Sequence, residues 1–273
     1  RLVKILQLVC SFCDISNNAD EPLHLFTEDE IEQVITLVYA GVITTHNLDV
    51  NTYLKIARKL LDGVYTGYDE EMTKAMFMTK DFEMLKSLRE NIYVFSAAKT
   101  YQQTREMSAA ITEGNNIVPF SQFKVTAKEI FLQYNENYLR TEYNSAIAQA
   151  NTARQWQEIE KTKVYLPMLT YKTAGDGRVR PTHEALNNIS RPVDDKFWDK
   201  YMPPNGWNCR CTVLQSSDAT ETSLTGFKAP SDVPLIFRFN AGKEKIIFSP
   251  KHPYFKVAKG DKEFAKENFG LPT

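Results

Sequence analysis

A chain of 273 residues can bury one substantial core or two modest ones. Hydrophobic residues at 42% and charged residues at 25% are ordinary for a folded globular protein and exclude a wholly disordered one. A net charge of -1 argues against a dedicated nucleic-acid binder, and no apolar run reaches the roughly 18 residues of a membrane-spanning helix, so a soluble chain with no membrane partner is expected.

Leu2 to Phe12 is apolar but short and broken by Lys4, Gln7 and Ser11. Without an initiator Met or a small-residue cleavage pattern it reads as a helix of the fold, with residues missing upstream, and not as a signal peptide. Thr27 to Glu30 spells a capping box, followed by Ile31, Val34, Ile35 and Val38 at helical spacing until Gly41 stops the run. A second helix is predicted from Asp49, with Tyr53, Ala57, Leu60 and Leu61 on one face and Gly63 as its end. Asp69 to Met107 is helix-biased, with Asp81 and Ser96 as candidate breaks. Gly114-Asn115-Asn116 marks a turn. A second capping box, Thr126 to Glu129, predicts a long helix that nothing interrupts before Pro167, with Ala146, Ala150 and Ala153 small enough for another helix to approach. Beyond Pro167 come a strand at Met168 to Thr173, turns at 175–177 and 203–206, a strand at Cys211 to Leu214, and a Ser/Thr-rich linker at 215–225. A β-hairpin of Leu235 to Phe239 and Lys245 to Phe248 through Asn240-Ala241-Gly242 is predicted last.

The expected architecture is α+β and mainly helical: a helical N-terminal region (1–123), a long connecting helix leading into a compact loop-rich domain with a small β-sheet (124–214), and a linker with the hairpin (215–273). Charge divides along the same line. Residues 1–123 hold 11 Lys+Arg against 17 Asp+Glu, a net -6, and residues 124–273 hold 22 against 17, a net +5. The basic half can face DNA or an acidic partner, or it can be ordinary solvated surface.

Four cysteines in so long a chain, as Cys10/Cys13 and Cys209/Cys211, suit a reducing cytoplasm better than a disulfide framework. A C-x-C pair on an extended strand turns both sulfurs to one side, and His183 upstream can fold back as a third ligand. Zinc accepts such thiolate and imidazole donors tetrahedrally, so His183, Cys209 and Cys211 are candidate ligands of a structural zinc, with Asp176 as the fourth or Cys10 or Cys13 in its place. The competing reading has both cysteines as small packed residues and His183 hydrogen-bonded to Asp176 or Glu184. For Cys10 and Cys13, set among Leu8, Val9, Phe12 and Ile15, core packing is the expectation. Arg140, Glu142, Arg178, Arg180 and Arg210 are candidates for an ion-pair network tying the long helix to the loops, or for phosphate contacts. Trp156, Trp198 and Trp207 are expected in the core. No G-x-S-x-G, H-E-x-x-H, P-loop or G-x-G-x-x-G is present. A metal nuclease built on Asp176, His183, Asp194 and Asp195 is the enzyme alternative, but no catalysis and no small-molecule substrate are expected.

Taken in order, Arg140-Thr141-Glu142, the Asp176-x-Arg178-x-Arg180-x-x-His183 segment, Asp195-Lys196-Phe197-Trp198 and Pro203-Pro204-Asn205-Gly206-Trp207-Asn208-Cys209-Arg210-Cys211 closely resemble the phage Mu F-like head morphogenesis family. The resemblance covers about residues 140–214. It implies a minor head protein of a tailed phage or prophage, present in few copies, located in the virion head and in the host cytoplasm during assembly. Portal protein or major capsid protein are the implied partners, and contact with packaged DNA is the runner-up.

Overall fold

The computed structural model describes residues 23–69, 78–227 and 233–270. Helix α1 (Glu28–Tyr39) starts at the expected capping box: the Thr27 hydroxyl accepts from Glu30 N–H and Glu30 Oε2 accepts from Thr27 N–H at 2.9 Å. Helix α2 (Val50–Tyr68) is capped by Asp49, whose carboxylate accepts from Thr52 N–H at 2.7 Å. Gly63 does not end it. A Cβ on Gly63 would lie 3.0 Å from the Tyr143 ring and one on Gly67 would lie 2.1 Å from the Ile147 carbonyl oxygen, so both glycines let another helix close in, and α2 runs on past them. Substituting Gly67 by alanine is expected to cost about 1–3 kcal/mol, because the obstacle is backbone that has to move; chemical denaturation of the variant measures it.

Helix α3 (Lys80–Ala109) is capped by Thr79 and passes Ser96 without a break, while Asp81 sits in its first turn and accepts from Tyr68 Oη at 2.9 Å. The turn at Gly114 joins strands β1 (Thr112–Glu113) and β2 (Asn116–Ile117). Helix α4 (Phe120–Leu132) begins after Pro119, whose carbonyl accepts from Gln122 and Phe123 N–H, so the expected start at Thr126 lies inside the helix and its capping box is unused. The long helix is also not uniform: a π-helical segment, Gln133–Tyr138, separates α4 from α5 (Leu139–Thr162). The buried positions explain it. Phe123, Ala127, Phe131, Asn135 and Leu139 face inward at strict four-residue spacing, which outruns a turn of about 3.6 residues, and one wider turn keeps the buried face in line.

Strand β3 (Met168–Lys172) is the centre of a three-stranded antiparallel sheet, flanked by β4 (Ser190–Pro192) and β5 (Thr212–Ser216), with Leu169 and Tyr171 turned inward opposite Gln215 and Val213. Two single helical turns, α6 (Pro181–Glu184) and α7 (Trp198–Tyr201), fill the connections. The Ser/Thr-rich stretch after β5 is not a free linker: Thr222 N–H donates to the Ser190 carbonyl and the Thr222 hydroxyl accepts from Ser190 N–H, which occupies the edge of β4.

The predicted C-terminal β-hairpin does not form. Leu235–Phe237 is a 3₁₀ turn, Asn240 caps a helical turn α8 (Ala241–Glu244), and Ile247 and Phe248 lie in a bend outside any strand. Their backbone is satisfied by one side chain. Asn91 Oδ1 accepts from the N–H groups of Ile247 and Phe248, and Asn91 Nδ2 donates to the Phe248 carbonyl at 3.0 Å. Phe248 then stacks on Phe95 with centroids 3.7 Å apart, and Gly242 presses on Trp156, where a Cβ would come within 2.2 Å of the side chain. The segment is a strap laid over the helices, closed by 3₁₀ turns at Pro253–Phe255 and Lys259–Asp261 and by helix α9 (Lys262–Phe269). The chain is α+β and dominated by helices, as its sequence leads one to expect. Its apolar core comprises one cluster of α2, α3, α5 and the strap, one around the three-stranded sheet with Trp156 and Trp198, and one of α1, α4 and the far end of α3.

Candidate metal centre

His183 stands on α6, where Pro181 opens the turn and the Arg180 carbonyl accepts from the N–H groups of His183 and Glu184. Cys209 and Cys211 come from the loop entering β5, and their sulfurs are brought together by a turn and not by strand pleating. Asn208 is left-handed at φ 53°, Cys209 N–H donates to the Gly206 carbonyl, and β5 starts only at Thr212. The Nδ1 atom of His183 lies 3.6 Å from each sulfur, and the three donor atoms all lie within 4.8 Å of one another. His183 and Cys209 are buried and Cys211 is half-buried.

These distances fit zinc. With Zn–S of about 2.3 Å and Zn–N of about 2.05 Å, the N···S edge of a tetrahedron is about 3.6 Å. The two thiols also interact with each other. A hydrogen bond from Cys211, together with His183 and the Asn205 N–H, holds the Cys209 thiol well below the usual range, while Cys211 is pushed up by its bond to Cys209. One proton shared by two sulfurs is what a divalent cation would displace. Tyr171 and Asn205, which sequence reasoning did not single out, brace the loop: Tyr171 Oη donates to Asn205 Oδ1 at 2.9 Å and Asn205 Nδ2 donates to the Met202 carbonyl, with both residues fully buried. A polar residue inside the Pro-Pro-x-Gly-Trp turn was the available signal. Gly206 lies against the ring, where a Cβ would make ordinary contact with His183 Nε2 at 3.6 Å and Arg180 Nη1 at 3.4 Å.

Asp176 does not join the cluster. Its two oxygens accept from Arg210 Nη1 and Nη2 at 2.6 and 2.7 Å, and this bidentate pair, with Arg178 N–H as a further donor, holds the carboxyl well below the usual carboxylate range. Asp194 and Asp195 are engaged as well, by Lys163 at 2.8 Å and by Arg191, so the four residues of the nuclease alternative do not converge. The His183–Cys209–Cys211 group is the one such donor cluster among the described residues. Cys10 and Cys13, with the apolar run from Leu2 to Phe12, lie outside the described residues.

Residues 102–214 match the family described as "Phage Mu protein F like protein". This segment resembles the Mu F-like proteins. Over 98 residues, 36% of its length, the chain is 41% identical to "Putative capsid assembly protein F" of Escherichia phage Mu, and over 80 residues, 29% of its length, it is 35% identical to "Mu-like prophage FluMu F protein" of Haemophilus influenzae. The matched stretches cover 22% and 18% of those two proteins, about a fifth of their length. No solved structure matches the chain. The Mu F-like segment thus takes in the end of α3, α4, α5, the sheet and the Cys/His cluster, and it leaves out α1, α2 and the strap.

Within the Mu F-like segment the charged residues expected in one network divide, with Arg178 and Arg210 meeting at Asp176 and Glu142 turned away from them. Arg210 holds Asp176, the largely exposed Arg178 reaches the same carboxylate at 3.6 Å, and Arg180 Nη2 donates to the Trp207 carbonyl at 2.7 Å. Arg140 lies half-buried in the first turn of α5. Glu142 is turned to Lys99 on α3, whose Nζ lies 3.0 and 2.8 Å from its two oxygens, and Glu142 also accepts from Tyr254 Oη at 2.9 Å. Burying Glu142 between α3 and the strap excludes it from the loops. Trp198 is fully buried with its Nε1 donating to the Pro192 carbonyl, and Trp207 joins the loop to the strap, edge-on to Phe237 at 4.9 Å.

Beside this pair, burial and the neighbouring Lys99 charge push His252 down from 6.5 to about 4. Between those values the unfolded chain binds a proton that the folded chain refuses, so stability falls as pH drops from 6.5 towards 4 and this contribution is flat below. The span of 2.5 pH units corresponds to about 3 kcal/mol at most. Denaturation midpoints of wild type and His252→Asn, an alternative N-cap acceptor, are expected to diverge across that window, with the variant less pH-dependent.

Proposed function

We propose that the chain is a head-assembly component of a tailed phage or prophage, acting through protein contacts with the portal or the major capsid protein and not as an enzyme. The match of residues 102–214 to the Mu F-like family, with a relative named for capsid assembly, carries this reading. A virion head location, with the host cytoplasm during assembly, goes with it. Among the described residues no helix is long and apolar enough to cross a membrane. The engagement of Asp176, Asp194 and Asp195 by basic side chains supports a structural over a hydrolytic role. In the same reading His183, Cys209 and Cys211 hold a structural zinc, which would cross-link α6 to the loop entering β5 and fix the small sheet domain at the end of α5.

A stop codon early in this chain, placed in the phage or prophage, is expected to abolish filled heads while tails still form; a normal yield of filled heads would defeat the assembly role. Co-expression with the portal and the major capsid protein then distinguishes partners, with one of the two expected to co-purify. Retention on DNA that falls steeply between two salt concentrations, and is lost in Arg178→Glu, would favour a DNA-contacting protein instead.

A further inference from the structure

Two of the apolar clusters share no residue and meet at a polar seam. Helix α3 contributes Met84 to Ala98 to the cluster it forms with α2, α5 and the strap, and Met107 to the cluster of α1 and α4. Between these lie Lys99, Thr100, Gln103 and Thr104, all buried. On the facing helix the same level is the π-helical segment, with Phe131 of one cluster on one side and Leu139 of the other on the other side.

What joins α3 to the π-helical segment across the seam is hydrogen bonding: Asn135 Nδ2 donates to Gln103 Oε1 at 2.8 Å and Tyr134 Oη donates to Glu106 at 2.9 Å. The seam is incompletely satisfied, because Asn135 Oδ1 and Ser96 Oγ are buried without a hydrogen-bond partner. Tyr254 of the strap closes it from outside, stacked on Tyr134 at 5.7 Å and donating to Glu142.

Interlocked apolar side chains resist sliding. A polar layer with spare acceptors can exchange partners at small cost, and a π turn is a place where a helix can shift its bonding by one residue. Helix α3 runs unbroken through the seam, so movement there is a shear along α3, not a bend in both helices.

We propose that this seam is a slip plane on which α1 and α4 shear along α3 relative to the rest of the body, with Tyr254 as the latch and the half-buried pair of Glu30 on α1 with Lys55 on α2 as the tie that must re-form. The α1–α4 pair can then shift along α3 while the sheet domain with its Cys/His cluster stays fixed.

Amide hydrogen exchange of the whole chain, followed by mass spectrometry, tests it. Residues 133–138 are expected to exchange through local opening, about tenfold or more faster than residues 144–153 of α5 and insensitive to low denaturant. Tyr254→Phe keeps the ring and removes the donated hydrogen bond. It is expected to speed exchange at 133–138 about tenfold and leave 144–153 unchanged. A second variant, Gln103→Leu with Asn135→Leu, replaces the polar layer by apolar contact and is expected to slow exchange at 133–138. Exchange of 133–138 only at the rate of 144–153 in the wild type would overturn the slip plane. So would a Tyr254→Phe effect spread evenly over the chain, or no slowing in the double variant.

Discussion

Replacing Cys209 by serine is expected to remove one bound zinc per chain and, at a free zinc concentration a thousand times the wild-type Kd, to lower Tm by about 8 °C. The size follows from linkage: a ligand at a thousand times its Kd adds about 4 kcal/mol to the folded state, and a chain of this length shifts by about 2 °C per kcal/mol. The serine hydroxyl is a poor substitute for a thiol that Cys211, His183 and the Asn205 N–H already hold below its usual range. Metal analysis of the purified protein and thermal scans with and without chelator measure both effects, and after chelation the wild type and variant are expected to melt close together. Asp176→Asn separates the centre from its surroundings. Because Arg210 already takes both Asp176 oxygens, the metal content is expected to stay at the wild-type value; its loss would restore Asp176 as a ligand. A wild-type chain purified with zinc in the buffer and still metal-free would leave the two thiols and the imidazole as a packed corner.

Lys99→Met alone is expected to destabilise the fold by about 3–5 kcal/mol, and adding Glu142→Leu to recover most of that loss. The single change leaves a carboxylate that is 2% exposed with only Tyr254 Oη as a donor, and an uncompensated buried charge is far costlier than the pair is worth. The double change removes both charges and substitutes apolar groups of similar volume among the rings of Tyr134, Tyr138 and Tyr254, which lie 5.3–5.9 Å from Nζ. Burial pushes Lys99 below its ordinary value while Glu142 draws it back up, the balance expected of an ammonium kept inside by one partner. Exposed pairs such as Lys128–Glu28 serve as the control, since their loss is expected to cost less than about 1 kcal/mol. Urea titrations of the two single variants and the double variant close the cycle. Equal losses in Lys99→Met and in the double variant would mean that the buried charge of Glu142 was not the cost.

The sequence by itself determined much of what depends on neighbours three or four residues away, or on one compact stretch of chain, although Thr126 with Glu129 spells a cap that α4 runs through. Thr27 with Glu30 and Asp49 with Thr52 place two helix starts, because a cap and the N–H it satisfies lie on the same turn. The segment from Asp176 to Cys211 named three of its candidate ligands correctly as a spatial group, because all of them lie within 29 residues whose turns are written in Pro, Gly and Asn. Tertiary structure alone decided the rest. The bond from Lys99 to Glu142 spans 43 residues and that from Tyr254 to Glu142 spans 112, and no local pattern announces them. The π-helical segment follows from which side chains α3 and the strap require to face inward. The C-terminal segment has the alternation and turn of a hairpin, yet Asn91, 156 residues upstream of Ile247, satisfies its backbone and draws its aromatic side chains into the helical core. A strand needs a partner for its N–H and C=O groups, and here the partner was a distant side chain, which only the folded chain brings within reach.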